Sequence, residues 1–143
     1  MKTTTVLLAA LLAGCATKMS YVPVATEDEA AQVAGMTTAE YRALTAKMEH
    51  VPVLHSPTAA AVDLTPEEYR AAVLRDYADS PNVEKIRAGR VDVGMTIEEC
   101  MGAQPGEWRQ MDYWRTPHAW YVRFLTPRFA QVTFRDGVLY LYD

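Results

Sequence analysis

Cysteine, histidine and long apolar runs are all scarce in this chain of 143 residues. Its two cysteines, Cys15 and Cys100, allow at most one intramolecular disulfide, which excludes a fold built on a disulfide framework. The three histidines, His50, His55 and His118, have neither helical ligand spacing nor cysteine neighbours, so no metal-site motif is present. Gly-rich phosphate loops, nucleophile elbows and His-Glu metalloprotease motifs are missing as well. No apolar run approaches the roughly 20 residues that a membrane-crossing helix needs. Positive charge is also short: 14 Lys and Arg face 18 Asp and Glu, and no basic stripe marks a nucleic-acid partner.

With half its residues hydrophobic and 22% charged, the chain has the composition of one globular domain with some length left for a tether. Met1-Lys2, the apolar run Val6 to Ala13 and the small residues after it form the pattern of a secretory signal peptide. Leu12-Ala13-Gly14-Cys15 then resembles the lipobox of bacterial lipoproteins. That resemblance implies cleavage before Cys15 and acylation of its sulfur, giving a signal peptide over 1–14 and a lipidated tether over 15–26. Several acyl chains, at about 0.8 kcal/mol per buried methylene, make such an anchor effectively permanent. Ala16 resembles the outer-membrane class of these proteins, so the expected location is the outer membrane, facing the periplasm. An even cysteine count would otherwise suggest a disulfide. With Cys15 acylated, Cys100 is read as a small buried apolar residue, with a reactive or intermolecular thiol as the alternative.

Four stretches share Thr-x-x-Glu: Thr26 to Glu29, Thr37 to Glu40, Thr65 to Glu68 and Thr96 to Glu99. In a capping box the threonine oxygen accepts from the backbone N–H three residues on, and the glutamate there reaches back to the threonine N–H. Each stretch therefore predicts a helix start, and capping accounts for the adjacent carboxylates Glu98 and Glu99 without acid–base chemistry. The repeated Gly-Met-Thr at Gly35 and Gly94 follows the same grammar: glycine closes one element and threonine opens the next. "TTAEYRALTAK" from Thr37 and "TPEEYRAAVLR" from Thr65 predict two similar amphipathic helices, with Tyr41, Leu44 and Met48 as the core stripe of the first and Tyr69, Val73 and Tyr77 of the second. Residues 27–64 are expected to form a helical arm and an extended linker, and 65–143 the main domain. A short helix is expected between Ser80 and Gly89, then an extended stretch from Arg90 to Val93.

Beyond Gln104 the texture changes to alternating segments rich in aromatics, which is strand composition. The Asp136-Gly137 dipeptide predicts a tight hairpin turn, because both central positions need positive φ. Its register sets Phe134 opposite Leu139 and Val132 opposite Leu141 on one face, with Thr133, Tyr140, Gln131 and Tyr142 on the other. A third strand is expected over Ala119 to Leu125 and a fourth over Trp108 to Trp114. Helices followed by an antiparallel meander give an α+β fold, with N-terminal helices packed on a three- to four-stranded sheet.

The run "IRAGRVDVGMTIEEC" and the hairpins after it resemble the SmpA/OmlA-type domain of small outer-membrane lipoproteins, whose best-known member is a subunit of the β-barrel assembly machinery. Ile86, Gly89, Val91, Gly94, Met95 and Thr96 carry the likeness at the helix start, and Tyr121 to Phe124 and Val132 to Leu139 carry it in the strands. The family commonly closes its helix with Gly-x-Pro, where this chain has Gln104-Pro105-Gly106 and keeps Gly102 inside the helix. The likeness implies a non-catalytic binding or scaffold module in envelope assembly, with an envelope protein as partner and no cofactor or small-molecule substrate. A related fold occurs in secreted β-lactamase inhibitors, so inhibition of a periplasmic enzyme is the alternative. Arginines interleaved with Trp and Tyr have the composition of interaction hot spots, and Tyr121, Arg123, Tyr140 and Tyr142 form the candidate partner surface.

Overall fold

The structure, a computed structural model, describes residues 18–49, 51 and 53–143; Cys15, the signal segment and His50 lie outside them. In chain order the elements are β1 (Met19–Tyr21), α1 (Glu27–Ala34), α2 (Thr38–Thr45), β2 (Val62–Leu64), α3 (Pro66–Asp76), α4 (Val83–Arg87), α5 (Ile97–Ala103), β3 (Arg109–Arg115), β4 (Trp120–Leu125), β5 (Gln131–Arg135) and β6 (Val138–Tyr142). The fold is α+β: the helices precede a four-stranded antiparallel meander in the order β3-β4-β5-β6, and β1 and β2 form a separate two-stranded ribbon.

All four Thr-x-x-Glu stretches are complete capping boxes, opening α1, α2, α3 and α5. At the last of these, Glu99 is buried and also accepts from Ser80 Oγ at 2.8 Å, so the cap ties the loop before α4 to α5. α1 ends on Gly35 at φ 71°, a left-handed conformation that a Cβ would strain. The predicted hairpin turn is present, with Asp136 at φ 49° and Gly137 at φ 85°.

One core joins α3, α4 and α5 to the sheet: Tyr69, Val73, Ile86, Met95 and Cys100 lie in one buried cluster with Val122, Val132, Phe134 and Leu139. Full burial of each large apolar side chain contributes roughly 1.5–3 kcal/mol. Gly102 permits a close approach in this core. A Cβ built there would lie 2.6 Å from Val73 Cγ1, so α3 and α5 meet where a side chain is missing. Cys100 is fully buried, and burial first, then the nearby Glu99 charge, push its thiol up to about 12, leaving it protonated and unreactive.

Four expectations need correction. Within the stretch read as tether, Met19–Tyr21 is a strand whose Met19 and Tyr21 are buried, because it pairs with β2 and packs on the α3 core. The apolar stripe expected on α2 is not core: Tyr41 is half-buried, while Leu44 and Met48 are each 42% exposed, and the helix stops at Thr45 before reaching Met48. The extended stretch expected over Arg90 to Val93 ends one residue early, because Val93 and Gly94 form a turn, and Gly94 to Ile97 then bond to the last hairpin. In the last hairpin, Phe134 does face Leu139, but a bulge then shifts the register, so Thr133 pairs with Leu141 and Val132 with Tyr142. The extra residue is Tyr140, two residues now opposing one on the partner strand.

Candidate functional site

The face of the sheet turned away from the helices carries the candidate site, and strand pairing builds it. Cross-strand partners share a face, so Trp114, Tyr121 and Arg135 line up in one row across β3, β4 and β5. Asp112, Arg123, Thr133 and Leu141 form the neighbouring row. The Trp114 and Tyr121 rings stack 5.1 Å apart and nearly parallel, at 4°. Tyr140 meets Tyr121 edge-on at 6.2 Å.

Two guanidinium groups complete the ladder. Arg123 lies over the Trp114 ring at 5.4 Å, and Arg135 lies between Tyr121 and Tyr140 at 6.0 and 5.9 Å. Such contacts contribute about 0.5–1 kcal/mol each at exposed sites and hold long, flexible side chains in place. Arg123 also faces Asp112 at 3.8 Å. The result is a preorganised surface of flat rings and fixed cations, with Tyr140 54% exposed.

Three of the four expected residues, Tyr121, Arg123 and Tyr140, therefore come together. Tyr142 does not: the shifted register sets it opposite Val132, on the helix-covered side. Trp114 and Arg135 belong to the ladder and were not singled out from sequence. The signal that finds them is pairing register, because each stands opposite Tyr121.

A second cluster sits where the linker crosses the helices. His55 Nδ1 donates to the Val22 carbonyl at 2.6 Å, and Nε2 lies 2.6 Å from Glu98 Oε2, off the line of a well-directed hydrogen bond. Tyr77 donates to the same Glu98 oxygen at 2.7 Å. Tyr21 donates to Asp76, which also pairs with Arg75 at 2.9 Å. Burial first, then the bond to Asp76, push the Tyr21 phenol well above its ordinary value. Burial likewise dominates at Tyr77, with the Glu98 bond adding to it. Burial pushes the Asp76 carboxyl up, but hydrogen bonds from Arg75 and Tyr21 and the Arg75 charge outweigh it, holding the group below the usual carboxylate range. Through these contacts the cluster ties β1, the linker, α3 and α5 together. His55 thus has a structural place that its loop sequence did not disclose.

His118 is exposed on the β3–β4 turn. Among the described residues no group of three or more His, Cys, Asp and Glu is arranged to hold a metal ion, and no helix is long and apolar enough to cross a membrane. No protein-family model, no curated protein and no solved structure matches the chain.

Proposed function

We propose that this chain is an outer-membrane-anchored periplasmic lipoprotein, with a domain of the SmpA/OmlA type, acting as a non-catalytic binding or scaffold module in envelope assembly or maintenance, β-barrel protein assembly included. The observation that carries the proposal is the ladder of Trp114, Tyr121, Tyr140, Arg123 and Arg135 on the open sheet face. Trp, Tyr and Arg are the residues that dominate binding energy at protein interfaces, and fixed rings lose little entropy on contact. Arg123 and Arg135 are already oriented by the rings beneath them. Acylation at Cys15 would confine the domain to the membrane surface. There even a weak contact benefits from an effective concentration on the order of millimolar.

The test is a pull-down of the lipidated protein from gently solubilised envelopes beside a Cys15→Ser control, with partners identified by mass spectrometry. Recovery of barrel-assembly or other envelope-assembly proteins that depends on Cys15 is the expected result. Recovery of one soluble enzyme by both forms would overturn the scaffold reading in favour of an inhibitor.

A further inference from the structure

The two edges of the four-stranded sheet are treated differently by the chain. At the start of β6 the edge is covered: Gly94 N–H donates to the Leu139 carbonyl at 3.0 Å, Leu139 N–H to Met95 at 2.7 Å, and Ile97 N–H to Gly137 at 3.2 Å. Along β3, the other end of the order, no described strand pairs with the outer side.

The direction of the free groups on β3 follows from β4. Trp120 donates its N–H to Asp136 Oδ1 at 3.0 Å and accepts from Asp136 N–H at 2.9 Å, so both of its backbone groups turn away from β3. Its partner Arg115 is therefore in a non-bonded pair. Alternation then makes Trp114 and Tyr121 a bonded pair and turns the N–H and C=O of both Tyr113 and Arg115 outward. A bulge at Met111 disturbs the first part of the strand, but Asp112 to Arg115 pair in regular register. Exposed edges are commonly blunted by bulges and charge. Here the bulge leaves four residues with an intact outward ladder.

Charge specifies what suits this edge. Residues 108–142 hold five arginines and two aspartates, whereas residues 18–107 hold eight Lys and Arg against fifteen Asp and Glu. Arg115, with no acidic partner among the described residues, shares a face with Trp120, whereas on the opposite face Arg123 already lies over Trp114 and against Asp112, so the free cation of the open strand is Arg115. A second copy of the same edge would bring Arg109 and Arg115 against arginines. The outward N–H and C=O groups call for a peptide backbone. We infer that β3 accepts an extended, acidic segment of a partner protein as a fifth strand, bonded to the backbone of Tyr113 and Arg115, with its carboxylates on the face that carries Arg115. This rests on the binding-module reading and names the chemistry of its partner.

The test uses the full-length chain in detergent micelles, titrated with a capped hexapeptide of alternating Glu and Val and, as control, one of alternating Lys and Val. Amide shifts centred on Asp112 to Arg115, with slowed exchange of the Tyr113 and Arg115 amide protons, are expected for the acidic peptide. Arg115→Pro removes one outward donor and no β3–β4 bond, so it should weaken binding about tenfold or more. Arg115→Ala, which removes only the charge, should weaken it about threefold. Should the proline variant fail to fold, an acidic peptide N-methylated at alternate residues must lose binding to the unsubstituted chain. Equal binding of both hexapeptides, shifts away from β3, equal losses for the Pro and Ala variants, or response to anionic vesicles but not to the peptide would each overturn the inference. Partners recovered in the pull-down without a peptide signal at β3 would leave the scaffold reading standing and remove this one alone.

Discussion

Helices α2 and α3 begin with nearly the same residues and the same complete capping box, yet only one of them is part of the core. α3 buries Tyr69, Ala72 and Val73, whereas α2 has no fully buried residue. The difference lies in what stands opposite. Val73 meets Gly102 of α5, where a missing side chain lets the two helices close together. α2 is held to α1 by polar contacts, a two-pronged Arg42–Glu27 pair at 3.0 and 2.9 Å and a Thr38–Asp28 hydrogen bond at 2.7 Å. Between α1, α2 and the linker remains an apolar groove of about 260 Å³ lined by Val33, Tyr41, Met48 and Leu54. A cap decides where a helix starts, and periodicity decides which residues share a stripe. Burial requires a complementary surface that local sequence does not encode.

The largest expected effect separates the two tyrosines at matching positions. Tyr69→Ala should cost about 3–5 kcal/mol in urea unfolding, as for a large buried aromatic. Tyr41→Ala should cost less than about 1 kcal/mol, as at a site where the side chain is poorly enclosed. Equal losses would erase the distinction between the helices. Gly102→Ala forces a methyl group against Val73 and should cost about 1–3 kcal/mol despite the better helix propensity of alanine. Combining it with Val73→Ala should recover part of that loss, and a purely additive pair would show that the two sites do not touch.

Smaller effects sharpen the same contrast. Thr65→Ala and Thr37→Ala each remove a cap worth about 1 kcal/mol. The first should lower global stability, and the second should appear mainly as faster amide exchange within α2, because a poorly buried helix opens locally. The smallest effect is pH dependence at the end of α3. The folded Asp76 carboxyl is held below its unfolded value, so its contribution to stability is complete above about pH 4 and is lost as pH falls through the folded value. Asp76→Asn should flatten the acid limb of a stability–pH curve, and an unchanged limb would place the acid sensitivity elsewhere.

Much of the fold could be read before the structure because its signals are local. Thr26, Thr37, Thr65 and Thr96 each supply a cap within four residues, and Asp136-Gly137 fixes a turn within two. The sites that escaped depend on distant pairing. Met19–Tyr21 is too short to show a period and becomes a strand only through β2, more than forty residues on. Tyr142 was set on the wrong face because a one-residue bulge at Tyr140 reverses everything beyond it. Trp114 and Arg135 entered the ladder by standing opposite Tyr121, and His55 found Glu98 across the fold.

The most direct measurement is site-specific photo-crosslinking in intact envelopes, with a benzoyl-phenylalanine placed in turn at Tyr140 on the ladder and at Leu44 on the exposed arm. Crosslinks to an envelope protein from Tyr140, lost when Arg135 is changed to Glu, and none from Leu44, are expected if the open sheet face is the binding surface. Crosslinks confined to Leu44 would contradict it and make the arm the working surface.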